Sequence, residues 1–234
     1  MSSCCVKGAR HEGDSAGRLC EVYGLETYEV GAGTRVIVVL TDIYGHRFKN
    51  VQLIADQIAE AGYRVLVPDI LQGDAVERLD GSVNFGEWLE RHGPAVTGKI
   101  VAEYMQRVRE GGASFVGVTG YCFGAKYAVQ QVGPDGYADA CAVAHPSFLE
   151  LEEVARVRKP ILISAAETDP QFPAETRWAA EKELAGIGAT YQIDLFSGVT
   201  HGFAVRGDLA EEAVRYAMGK VVGDQICWMG RFAK

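Results

Sequence analysis

A chain of 234 residues, 48% apolar and 23% charged, can bury a full core without disulfide or metal support, and this is the composition of an ordinary globular domain. The formal charge of -8, with no cluster of Lys and Arg, excludes a surface for DNA or RNA. No apolar run reaches the roughly 18 to 20 residues of a membrane span, and the N-terminus lacks the charged-then-apolar order of a signal peptide, so a cytoplasmic protein without membrane attachment is expected.

Residues 1–22 read as an N-terminal extension of a single domain that spans 1–234. Val36 to Leu40 is a continuous β-branched run, the pattern of a strand buried on both faces of a parallel sheet. From Phe48 to Ala61 the apolar positions Val51, Ile54, Ala55, Ile58 and Ala61 fall at helical spacing, with Gly62 as a C-cap. Arg64 to Val67 is the next strand, stopped by Pro68, which completes a βαβ unit. Residues 72–94, Gly-rich and acidic with Phe85 and Trp88 embedded, break the rhythm directly after a strand end and form a candidate cap segment. The alternation then resumes with a helix near Lys99 to Arg109, a strand at Phe115 to Thr119, a sharp turn at Cys122 and a helix from Gly124 to Val132. Strands follow at Ala138 to Ala144, Pro160 to Ala165 and Tyr191 to Phe196, and helices at Ala174 to Ala185 and Asp208 to Val222. The predicted fold is α/β, a mostly parallel sheet with helices on both faces, and its ligands belong beyond the carboxyl ends of the strands.

The six cysteines (4, 5, 20, 122, 141 and 227) contain no Cys-x-x-Cys pair and no disulfide framework, so they read as reduced thiols. Cys4 and Cys5 with His11 would chelate one zinc poorly, and no metal site is expected.

Gly120-Tyr121-Cys122-Phe123-Gly124 lies between a strand and a helix and matches the Gly-x-nucleophile-x-Gly elbow, with cysteine in the place of serine. Close approach of strand and helix requires small residues two before and two after the nucleophile, and the helix N-terminus favours a thiolate. A lone cysteine is more often a small buried hydrophobe; the elbow context reverses that reading. Asp169 and His201 follow later strand ends in the nucleophile, acid, histidine order of α/β-hydrolases, with Glu167 as the competing acid. Asp42-Ile43-Tyr44-Gly45 lies beyond the first buried strand, so the backbone N–H groups of Ile43 and Phe123 are the candidate oxyanion donors. Asp42 reads equally as a plain turn residue. His145, just after a strand, is a candidate pocket residue or a structural histidine, and Lys126 reads as a solvent-facing lysine without a role.

These motifs, with Gly62-Tyr63-Arg64-Val65-Leu66-Val67-Pro68-Asp69 and His201-Gly202-Phe203, resemble the dienelactone hydrolase (carboxymethylenebutenolidase) family of the α/β-hydrolase fold, closest to its eukaryotic branch, from about Tyr23 to the last helix. The resemblance implies a Cys122–His201–Asp169 triad acting on small lactones or esters through a thioester acyl-enzyme, with no cofactor. Bacterial members carry a thiol-modulating glutamate where this chain has Asp42. They hold the substrate carboxylate with arginines, one of them where this chain has Val205 followed by Arg206; Arg78 is the candidate for another. Arg206 reads equally as a charge beside Asp208. Tyr44, Trp88 and Phe203 complete the expected substrate-binding set, in a pocket also shaped by Phe85, Phe123 and Phe172. The partner is then a small-molecule lactone or ester, and the chain a monomer or homodimer. The alternatives are a thioesterase or broad carboxylesterase on the same triad, and a non-catalytic protein using Cys122 as a redox-sensitive thiol.

Overall fold

The computed structural model describes residues 11–78 and 83–233. Its strands are β1 (Arg18–Val22), β2 (Leu25–Val30), β3 (Arg35–Leu40), β4 (Arg64–Pro68), β5 (Phe115–Tyr121), β6 (Ala140–Ala144), β7 (Ile161–Thr168) and β8 (Tyr191–Thr200). They form one sheet in the order β1-β2-β4-β3-β5-β6-β7-β8, antiparallel from β1 to β4 through β2 and parallel elsewhere. The unbroken apolar run of β3 has the predicted cause. Val36, Val38 and Leu40 enter one core, while Ile37 and Val39 enter the other. Helices α1 (Lys49–Glu60) and α8 (Glu212–Phe232) cover the Ile37 face, with Ile54, Ile58, Val221 and Met229 against Val65, Val67 and Leu162. Helices α3 (Lys99–Glu110), α4 (Phe123–Gln130) and α6 (Ala174–Gly186) cover the other, with Tyr104, Met105, Tyr127 and Leu184 against Val116, Val118 and Ile163. Three short helices, α2 (Phe85–Arg91), α5 (Leu151–Ala155) and α7 (Phe203–Arg206), lie in the connections.

Two boundaries differ from expectation for physical reasons. The expected N-terminal extension ends in β1, paired antiparallel with β2 across Tyr23 and Gly24, whose φ values of 53° and 86° are the positive pair that lets a two-residue turn follow the right-handed twist of the strands. The mixed polarity of β1 reflects its place at the sheet edge and hides it from periodicity. Helix α8 runs on to Phe232, past Gly219, Gly223 and Gly230. Its buried positions Val214, Ala217, Met218, Val221, Val222, Gln225, Trp228 and Met229 continue the helical spacing, so burial overrides weak propensity. Cys4 and Cys5 lie outside the described residues. Among the described residues no helix is long and apolar enough to cross a membrane, and no group of His, Cys, Asp and Glu is arranged to hold a metal ion.

The β5–α4 junction shows why the elbow needs its glycines. A Cβ on Gly124 would lie 2.3 Å from the Leu40 carbonyl oxygen and 2.6 Å from that of Thr41, and one on Gly120 would lie 2.7 Å from the Ala125 Cα. Backbone cannot yield as a side chain does. Gly124→Ala is therefore expected to destabilise the fold by about 1–3 kcal/mol through overpacking, read as a lower midpoint in thermal unfolding.

Candidate active site

Cys122 occupies the turn between β5 and α4 with φ 50° and ψ -112°, a conformation ordinary L-residues avoid. Its backbone N–H donates to Ala144 O at 3.2 Å and its carbonyl accepts from Ser147 N at 3.0 Å, so β6 and the loop beyond it hold the strained residue in place. The turn lifts Sγ to the sheet's carboxyl edge, where β7 and β8 deliver the other two groups. Cys122 Sγ is 3.1 Å from His201 Nε2, and His201 Nδ1 is 2.9 Å from both carboxylate oxygens of Asp169. Asp169 is aimed by its own loop, since Oδ1 accepts from the backbone of Gln171 at 2.8 Å and of Phe172 at 3.2 Å. It is thus both the turn residue and the partner of the histidine. Glu167 points elsewhere, accepting from Ser197 Oγ and the Gly198 backbone.

The buried setting makes this a proton-sharing pair. Burial alone would raise the Cys122 thiol, but the charge and hydrogen bond of His201 and the charge of Arg206 outweigh it, leaving the thiol below its ordinary value; Asp42 acts against them. At His201 burial works downward, and the Cys122 sulfur followed by the Asp169 carboxylate overcomes it, raising the imidazole to about 10. Both directions concern one shared proton and favour its place on His201 over the sulfur. A second buried pair adjoins it: Arg206 Nε lies 3.1 Å from Asp42 Oδ2, and both side chains are almost wholly out of solvent. Burial pushes the Asp42 carboxyl up against the pull of Arg206, while Asp42 Oδ1 accepts from the Tyr44 backbone at 3.0 Å.

These groups open onto a cavity of ≈ 430 Å³. Ile43, Phe123, Phe148, Phe85 and Leu89 supply apolar walls, and Cys122, Ser147, Gln171, His201 and Arg206 supply the polar side. Helix α2 forms one wall through Phe85, Gly86 and Leu89, and Asp74 staples it. The Asp74 carboxylate accepts from His92 and Arg91, and its carbonyl accepts from Trp88 Nε1 at 2.8 Å.

The profile of the dienelactone hydrolase family matches residues 24–233. The chain belongs to the dienelactone hydrolase family. It is 39% identical to the hydrolase tropI of Talaromyces stipitatus over 99% of this chain and 96% of that protein, and 38% identical to the hydrolase pyvD of Aspergillus violaceofuscus over 100% and 97%. A putative dienelactone hydrolase from Klebsiella pneumoniae shares the fold with a TM-score of 0.74 at 16% identity, over 89% of this chain and 93% of its own.

In this dienelactone hydrolase family member the structure gathers Cys122, His201, Asp169, Ile43, Phe123, Asp42 and Arg206 at one point and sorts the remaining candidates. Tyr44 is half-buried behind the site, stacked on Phe48, with the Arg206 guanidinium carbon 5.3 Å from its ring centroid. Trp88 does not face the cavity. It is 1% exposed and packs between Phe85 and Phe123. Phe203 is likewise in the core, against His145 and Phe196, because the one-turn helix α7 aims Arg206 rather than Phe203 at the site. Arg78 is exposed, at the edge of the described part of the 72–94 segment. His145 is fully buried behind His201, their ring centroids 5.1 Å apart, and burial lowers its pKa well below the ordinary value. Lys126 is the clearest departure from expectation. Its ammonium is buried, reaching Phe148 O at 3.0 Å, Glu150 at 3.0 Å and Glu153 at 2.9 Å, because the 146–150 loop and α5 fold back over the first turn of α4. Ser147, Phe148 and Gln171 escaped the sequence reading. Each follows a strand end, which is their only sequence signal.

The lowered thiol and raised imidazole set a sign for reactivity. Cys122 is expected to react with iodoacetamide at pH below the ordinary thiol value of about 8.5, with the rate falling as pH drops through the lowered thiol value. Cys141, fully buried with its thiol pushed up by desolvation, is expected to stay unreactive in the same folded sample. Site-resolved mass spectrometry across pH checks both.

Proposed function

We propose that this protein is a cysteine-dependent hydrolase of small lactones or esters. The observation that carries the reading is the continuous contact from Cys122 Sγ through His201 to Asp169, 3.1 Å and 2.9 Å, at the wall of an apolar cavity. The Cys122 thiolate attacks the acyl carbon, and the carbonyl electrons move onto oxygen, facing the backbone N–H groups of Ile43 and Phe123. Collapse of this adduct expels the alkoxide, which takes the proton from His201 Nε2 and leaves a thioester on Cys122. In a lactone the expelled oxygen stays tethered to the acyl group. His201 then removes a proton from water, whose oxygen attacks the thioester carbonyl, and the thiolate leaves as the free acid forms. Asp169 fixes the imidazole with Nε2 toward the sulfur and balances the imidazolium. The Arg206 guanidinium supports an anionic group on the substrate, and Asp42, which opposes thiolate formation by charge, tempers the thiol while Arg206 favours it.

The walls leave the acyl group open, so lactones, aryl esters and acyl thioesters offered side by side are expected to rank the substrate classes. Incubation with a lactone panel is expected to leave an acyl mass on Cys122, and Cys122→Ala to remove both adduct and turnover while unfolding at the same temperature. A folded alanine variant with full turnover overturns the nucleophile, and no turnover with any acyl substrate overturns the hydrolase.

The acid is tested separately. Asp169→Asn keeps the shape but favours the wrong imidazole tautomer, and turnover is expected to fall by about three to four powers of ten. Glu167→Gln is expected to leave turnover within about twofold. The reverse outcome reassigns the acid.

A further inference from the structure

A hydroxyl stands at the nucleophile that the acyl-transfer scheme does not use. Ser147 Oγ lies 3.3 Å from Cys122 Sγ and 3.3 Å from His201 Nε2, buried at 2% exposure on the cavity wall. We propose that Ser147 is a positioning residue for the Cys122–His201 pair, its hydroxyl donating to the thiolate and accepting from the imidazolium. The proposal rests on the reading of Cys122 as nucleophile.

Proton bookkeeping selects this role. In the ion-paired state the proton of Sγ has moved to Nε2, and Ser147 keeps its own. The imidazolium N–H is shared between sulfur and hydroxyl oxygen, and the hydroxyl hydrogen points at the sulfur. Both hydroxyl contacts are then charge-assisted. In the neutral state neither partner carries a charge, so the same hydroxyl contributes less. Its presence therefore favours the ion pair.

The loop around Ser147 is built to hold it still. His145 and Phe148 on either side have φ of 38° and 57°, both in the left-handed region, and Pro146 fixes the backbone between them. The Ser147 N–H donates to the Cys122 carbonyl at 3.0 Å, and the buried Lys126 ammonium clamps the Phe148 carbonyl at 3.0 Å. The hydroxyl is thus set against the elbow by two anchors, one of them on the elbow helix itself. The charged and titratable groups facing Cys122 are His201 with Asp169 behind it from the strand ends, Arg206 from α7, and Asp42 and Tyr44 from the turn after β3. His145 stands behind His201, its imidazole kept uncharged at neutral pH by burial. Ser147 tunes their balance without titrating.

Alkylation of Cys122 by iodoacetamide, followed across pH by site-resolved mass spectrometry on the intact protein, reads this directly. Ser147→Ala is expected to raise the midpoint by about one pH unit, slowing alkylation below the midpoint about tenfold, with the high-pH plateau and the thermal midpoint unchanged. Ser147→Thr is expected to keep the wild-type midpoint, and Ser147→Val, its isostere without the hydroxyl, to match the alanine variant. The Thr and Val pair decides the matter even where alanine disturbs the loop. An unchanged midpoint in the valine variant, or a threonine variant shifted as far as valine, overturns the proposal. Wild-type protein that alkylates as expected but hydrolyses no ester, lactone or thioester overturns the hydrolase reading instead, and leaves this result standing.

Discussion

The left-handed backbone at Cys122 is the constraint on which the site depends. Strain of this kind costs on the order of 1–3 kcal/mol and persists only where the surroundings over-determine it. Here they do so three times over. The glycines at 120 and 124 let α4 press onto β5 and β3, the Cys122 N–H donates to the Ala144 carbonyl, and the Cys122 carbonyl accepts from the Ser147 N–H. The strain puts a side chain at the sheet edge, at the start of a helix, in a place a relaxed residue would not reach. Every other group of the site meets it there because β3, β6, β7 and β8 end at the same edge in parallel register with their neighbours.

Ionisable groups buried this closely need compensation, and the sequence supplies it in pairs. Cys122 faces His201, His201 faces Asp169, and Arg206 faces Asp42. Each group is balanced by its neighbour, so these residues act as a linked set rather than as independent contributors. The linkage also gives the site its range. Arg206 lowers the thiol and Asp42 raises it, so whatever draws the guanidinium away from the carboxylate alters the charge balance at the sulfur.

What could be read in the sequence follows from where the information is local. The elbow Gly120-Tyr121-Cys122-Phe123-Gly124 is a contiguous steric requirement, and β3 is a run whose burial on both faces leaves no polar position, so both were legible. The β1–β2 hairpin was not, because an edge strand alternates weakly and Tyr23-Gly24 is an uncommon turn pair. Lys126 was misread because its partners, Glu150 and Glu153, are brought to it by a loop twenty-odd residues away, and nothing in a single lysine announces that it is buried. Trp88 and Phe203 were assigned to the pocket by type and neighbourhood. Which way an aromatic ring faces depends on packing partners such as Asp74 and His145, which periodicity does not reveal.

The Cys122–His201–Asp169 contact and much of the apolar cavity wall are held by different parts of the molecule. The side chains of Cys122, Asp169 and His201 sit at strand ends fixed by the sheet, whereas Phe85, Leu89 and Phe148 of the apolar cavity wall come from α2 and from the loop after β6. Helix α2 is seven residues long, too short to be stable alone, and is held by the Asp74 staple and by Trp88 packed on Phe123. Phe148 is 40% exposed yet lines the cavity, in a left-handed conformation kept by the Lys126 clamp on its carbonyl. Substitutions in these two walls change what fits without moving Cys122, His201 or Asp169. Substitutions at Lys126 do not separate so cleanly, since the same clamp sets the Phe148 wall and steadies the loop that carries Ser147. Through that lysine the Phe148 wall of the pocket and the placement of the Ser147 hydroxyl beside Cys122 share one structural support.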